Sequence, residues 1–176
     1  GPSKTAFWLS TKDDVDSFGA GGLNSWTAAE VLSFGDPDLQ LEPASGTTSG
    51  TVQTVFNFDS FGGNIEIDVI HYVSQDLQVG ASNFDLFEGD LLFSTEADET
   101  FVSTNTLSVM KEDLILFRPD AVGDYSSGTF TTLLTDPGVG NLQAITLIEQ
   151  TTSVGDATLQ AGDFLLATAK NVMLFE

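Results

Sequence analysis

The feature that most limits what this chain can fold into is a short apolar stretch that recurs behind a Gly-Asp step. Gly89-Asp90-Leu91-Leu92-Phe93-Ser94-Thr95 returns as Gly162-Asp163-Phe164-Leu165-Leu166-Ala167-Thr168, and Ala6-Phe7-Trp8-Leu9-Ser10-Thr11 reads as a third copy. Each copy leads to a second apolar stretch: Glu30-Val31-Leu32-Ser33-Phe34, Asp113-Leu114-Ile115-Leu116-Phe117 and Asn171-Val172-Met173-Leu174-Phe175. Between them, Ser49-Gly50-Thr51-Val52 parallels Ser127-Gly128-Thr129-Phe130, and the β-branched stretch 65–72 parallels 142–150. Phe84-Asp85-Leu86 matches Ala157-Thr158-Leu159 just ahead of the Gly-Asp step. Matches kept in one order mark a chain that uses one structural unit more than once.

The unit reads as about four short strands. Thr51-Val52-Gln53-Thr54-Val55-Phe56-Asn57-Phe58 and Asn64-Ile65-Glu66-Ile67-Asp68-Val69-Ile70 alternate with period two and are rich in Val, Ile, Phe and Thr. The intervening Asp59-Ser60-Phe61-Gly62-Gly63 has turn chemistry, as do Pro119-Asp120 and Asp136-Pro137-Gly138. Helix signals are poor; residues 25–32 hold one N-cap candidate, Ser25, and room for a single turn before the strand at Glu30. The expected fold is all-β: an antiparallel β-sandwich or barrel-like domain from a duplicated four-stranded unit, with propeller-like blades as the alternative. Residues 4–176 form one domain, with units at 5–88 and 89–161 and a C-terminal hairpin at 162–176. That hairpin is expected to complete the sheet begun by Phe7-Trp8-Leu9, and Gly1-Pro2-Ser3 reads as the remnant of a cleaved tag.

Charge removes several classes of function. With 26 acidic residues against 5 basic ones and a net charge of -21, the surface repels phosphate backbones, so nucleic acid is not an expected partner. Anionic membranes are disfavoured likewise, and no apolar run approaches the roughly 20 residues that span a bilayer. The absence of cysteine excludes disulfides, thiolate metal sites and cysteine nucleophiles. An acidic surface suits divalent cations or a salty exterior, and equally suits plain solubility.

Calcium is the candidate cofactor. Asp13, Asp14 and Asp16 crowd one Gly-rich loop that could offer carboxylates and carbonyls together, and Asp36 and Asp38 flank Pro37 in a second. The competing readings are a solvated loop and a Pro-Asp turn, and neither the EF-hand spacing nor a nonapeptide calcium repeat is present. Asp90 and Asp163 in the Gly-Asp step read as turn residues. His71, the sole histidine, aligns with Glu149 in the second unit and reads as structural. No Gly-x-Ser-x-Gly elbow, Walker, Rossmann or zinc-protease motif occurs, so catalysis has no specific support. Trp8 reads as core, while Trp26 and Tyr125, in polar loop sequence, are candidate stacking residues for a sugar.

Trp8-Leu9-Ser10-Thr11, Leu23-Asn24-Ser25-Trp26, Phe34-Gly35-Asp36-Pro37-Asp38-Leu39, Phe117-Arg118-Pro119, residues 123–130 and Ala161-Gly162-Asp163-Phe164 together resemble repeats of very large bacterial surface and secreted proteins. Such proteins also carry cadherin-like or calcium-binding repeat modules. The resemblance covers nearly the whole chain and implies a modular, extracellular or cell-surface setting with neighbouring domains; it brings no catalytic residues. The expected function is a non-enzymatic structural or adhesive module, with calcium as a stabilising ion. A carbohydrate-binding module that takes a glycan or a cell-surface protein is the alternative, and a polysaccharide-active enzyme the third reading.

Overall fold

The structure is a computed structural model that describes residues 6–17, 22–35, 51–63, 65–136, 140–168 and 172–175. Every regular element among them is a strand except one 3-10 turn at Phe58–Ser60. The first sheet contains β1 (Ala6–Leu9), β2 (Glu30–Gly35) and β3 (Thr51–Asn57) in that order. Then β4 (Ile67–Tyr72) leads through a small hairpin, β5 (Leu77–Val79) and β6 (Phe84–Leu86), to β7 (Leu91–Thr95). A second hairpin, β8 (Glu99–Val102) and β9 (Thr106–Val109), leads to β10 (Leu114–Ala121), which turns directly into β11 (Asp124–Leu134). The last sheet repeats the pattern: β12 (Leu142–Leu147), the hairpin β13 (Thr152–Val154) and β14 (Ala157–Leu159), β15 (Phe164–Thr168) and β16 (Val172–Phe175).

The fold is therefore all-β and antiparallel, as expected, and no sheet closes into a barrel among the described residues. The middle sheet runs β4-β7-β10-β11, and the third runs β12-β15-β16. Four strands in meander order are also the make-up of a propeller blade. The C-terminal hairpin forms, but it does not complete the sheet begun by Phe7-Trp8-Leu9: β15 pairs with β12, while β1 pairs with β2.

Period-two burial explains the layering. In the middle sheet Leu91, Phe93, Ile115 and Phe117 face one side, packing with Val31, Phe58 and other residues of the first sheet. Leu92, Leu114 and Leu116 face the other, against Leu142, Ile145, Leu147, Phe164 and Leu166 of the third sheet. A sheet covered on both faces needs apolar residues at every position, which is why β7 and the start of β10 read as unbroken apolar runs. The first interface is aromatic: Phe58, Phe93, Phe101, Phe117 and Phe130 are fully buried, with tilted and edge contacts such as Phe58–Phe93 at 4.5 Å and Phe93–Phe101 at 5.4 Å.

Two local features recur. β4 and β12 each carry a bulge at the second residue, Asp68 and Gln143. Gly128 has its own reason: a Cβ there would lie 2.3 Å from the Arg118 carbonyl oxygen and 2.7 Å from the Phe117 ring. Its counterpart Gly50 lies outside the described residues.

Candidate functional site

Four strand entries are built alike. At residues 27–30, 87–90, 110–113 and 160–163 the fourth residue donates its N–H to the first residue's carbonyl: Glu30 to Thr27 at 3.1 Å, Asp90 to Phe87 at 3.0 Å, Asp113 to Met110 at 2.9 Å and Asp163 to Gln160 at 3.1 Å. The same fourth residue's carboxylate accepts the first residue's N–H, at 2.7, 2.9, 3.0 and 2.7 Å respectively. The second residue's N–H is held by a side chain from upstream. Ala28 donates to Asp14 (2.9 Å), Glu88 to Asp76 (2.9 Å), Lys111 to Asp98 (3.1 Å) and Ala161 to the Thr151 hydroxyl (3.2 Å).

These upstream groups stand 14, 12, 13 and 10 residues back in sequence. Asp76, Asp98 and Thr151 each immediately precede the hairpin that leads to the turn. Asp14 precedes Val15, whose single bridge to Trp26 takes the hairpin's place. Asp90 and Asp163 thus act in turns, in keeping with the sequence reading. Gly89 and Gly162 at the third position share a φ of +97°, and they donate to Val73 and Ile148 at 3.0 and 2.7 Å. This register makes Val73 the counterpart of Ile148. The counterpart of His71 is consequently Thr146, opposite Leu165 as His71 is opposite Leu92, and not Glu149.

Asp14 is accordingly engaged as a turn clamp. It also lines a cleft of about 410 Å³ with Asp13, Asp59, Glu66, Thr27, Ala28, Ala29 and Ile65. One oxygen of Asp59 accepts the Ile65 N–H at 2.9 Å, and the buried Thr27 hydroxyl has no hydrogen-bond partner among the described residues. Nearby, burial raises the Glu99 carboxyl above its ordinary range, and Glu66, Asp59 and Asp98 reinforce the shift. The flank is strongly anionic. Asp16 is exposed and is not among the residues that line the cleft. Among the described residues no three acidic or imidazole groups are placed to hold one metal ion. Asp36 and Asp38 lie outside the described residues; Pro119 and Asp120, expected in a turn, belong instead to β10, where Asp120 accepts from the Ser127 hydroxyl of β11 at 2.7 Å and the turn falls at Val122-Gly123.

The aromatic platform is not formed. Trp26 is 6% exposed and Tyr125 7%. Trp26 packs with Leu32 and Val52 on the outer face of the first sheet, and its ring N–H donates to Thr11 at 2.9 Å. Tyr125 stacks on Phe56 (5.1 Å) and meets the edge of Trp8 (5.8 Å) between the first and middle sheets. Polar neighbours suggest a loop at Tyr125, but it belongs to β11 and alternation carries it inward.

Two polar constellations were not legible in the sequence. Arg118 on β10 holds the buried carboxylate of Asp90 at 2.7 and 3.0 Å, donates to the Asp85 carbonyl at 2.8 Å and covers the Phe87 ring at 4.4 Å. At the junction of the middle and third sheets Glu149 accepts from His71 (3.2 Å), from the Ser74 backbone N–H (3.0 Å) and from the Ser74 hydroxyl. Burial holds the His71 pKa below its ordinary value, against the opposing pull of Glu149. The carboxylate lies between serine and histidine, so the imidazole is not positioned to take the hydroxyl proton as a nucleophilic site requires. No helix among the described residues is long and apolar enough to cross a membrane. Comparison with protein-family models, curated proteins and solved structures found no match to the chain.

Proposed function

We propose that this chain is a non-enzymatic structural or adhesive module of a large extracellular bacterial protein, with calcium as a stabilising ion of its acidic flank. The observation that carries the reading is the recurrence of one strand order in three stacked sheets, entered through the same clamped turns. Units that bury their faces only against neighbours extend by addition, which suits spacing and display. The resemblance to surface-protein repeats and the net charge of -21 support the extracellular setting.

The calcium part rests on the anionic field of the cleft lined by Asp13, Asp14, Asp59 and Glu66, which favours a divalent cation although no three of these carboxylates converge on one point. The test is thermal unfolding in millimolar calcium and after chelation. A ligand that binds only the folded state at about 100 times its Kd adds about 2.7 kcal/mol, a shift of several degrees for a chain of this size. A shift that magnesium does not reproduce, and that Glu66→Gln abolishes, supports a specific site. Equal melting in both conditions removes the calcium part and leaves the structural module standing.

A further inference from the structure

In the middle sheet β7 is hydrogen-bonded along both edges, to β4 and to β10. In the third sheet β15 lies between β12 and β16 in the same way. β1 is their counterpart in the first sheet. It leads to the second apolar strand as they do, and Leu9-Ser10-Thr11 continues it as Phe93-Ser94-Thr95 continues β7. Among the described residues its outer edge is unpaired. Phe7, 49% exposed, lies on the outer face of the first sheet, whereas the matching Leu91 and Phe164 are covered by a neighbouring sheet.

Two other sheet edges, those of β3 and β11, are met by neighbouring segments. A loop closes the outer edge of β3, where Leu23 donates to the Val52 carbonyl at 3.0 Å. The tip of the β8–β9 hairpin closes that of β11, where Asn105 accepts from and donates to the backbone of Phe130 at 2.9 and 2.8 Å. An apolar edge that no described strand pairs with is a pairing surface.

We propose that the outer edge of β1 accepts an antiparallel strand of the β4 and β12 type, supplied by a further copy of the same unit. The two strands that fill this position elsewhere define the occupant: an apolar first residue (Ile67, Leu142), a bulge at the second (Asp68, Gln143), then alternate residues turned inward. The inference stands on sheet order alone and does not depend on where the protein resides or on calcium.

The test places residues 65–90, which carry β4, its hairpin and its clamped turn, directly ahead of Phe7. The graft thereby reproduces the connection that β4 makes to β7. The expected result is a melting temperature several degrees above that of the parent chain and about tenfold slower amide exchange at Trp8 and Leu9. A second graft with proline in place of its Ile70 loses both effects, because it cannot complete the ladder. A synthetic peptide of residues 65–73 added in trans provides a readout that does not require the graft to fold. The inference is overturned if neither graft nor peptide slows exchange in β1, or if the proline graft stabilises as well as the intact one.

Discussion

Asp14 accepts the backbone N–H of Ala28 at 2.9 Å, and by this bond a residue that looks like a metal ligand becomes a fold element. Asp76 and Asp98 do the same for Glu88 and Lys111. Asp76→Ala and Asp98→Ala should each cost about 1 kcal/mol, the worth of a hydrogen bond to a charged acceptor at a partly exposed turn. Urea unfolding measures the loss. It should be the same in calcium and in chelator, since these carboxylates are outside the cleft.

The pair formed by Arg118 and Asp90 should be the most sensitive polar contact. Asp90 is 1% exposed and would be left charged and unpaired by Arg118→Ala, at a cost of about 3 kcal/mol. The double variant Asp90→Asn/Arg118→Ala should lose less than the sum of the singles. Additive losses in a double-mutant cycle would show that the two groups are not coupled.

Two groups set opposite pH dependences. Burial and the neighbouring Glu96 raise the Asp68 carboxyl to about 6, so the folded state binds the proton more tightly than the unfolded chain. Its contribution is fully present below the unfolded value near 3.8 and is lost as pH rises to about 6. Asp68→Asn should raise the melting temperature at pH 7 and flatten that stretch of the profile. Solvent screening keeps the gain small.

His71 works the other way. Its folded pKa lies below 6.5, so protonation favours the unfolded chain, and its stabilising effect is lost as pH falls below 6.5 through the folded value. A proton titration of the imidazole followed by NMR should give a midpoint below 6.5. Glu149→Gln should lower it further by removing the opposing charge. A midpoint above 6.5 would contradict the burial argument.

Gly128→Ala should destabilise by about 1–3 kcal/mol, because the added methyl must displace backbone and a buried ring rather than a flexible side chain. Thermal melting checks it. Thr129→Ala, an exposed neighbour in the same strand, controls for general loss in β11.

The class of fold was legible because alternation and turn residues are local properties. Period two found the strand at Thr51–Asn57, and the one expected over Asn64 to Ile70 is present but displaced to Ile67–Tyr72, with a bulge at Asp68 that alternation does not reveal; the single turn before Glu30 is present. Only the turn's anchor differed. Ser25 was the expected cap, but the Thr27 N–H is held by Glu30 and that of Ala28 by Asp14. A hydroxyl near a helix-like start is a weaker signal than two carboxylates brought together by a bridge at Val15 and Trp26.

The sequence by itself determined the strands, their turns and the recurrence of acidic residues ahead of apolar runs, since each depends on neighbours a few residues away. Tertiary structure decided the partners. It placed Tyr125 between two sheets rather than on a surface, turned Asp14 into a clamp on the Ala28 N–H, and brought Arg118 to Asp90 and His71 to Glu149. His71 and Glu149 are 78 residues apart, and only the stacking of β4 on β12 brings an imidazole on one to a carboxylate following the other. Which side chains meet across sheets depends on how the faces pack, and period two fixes only which face each side chain shares.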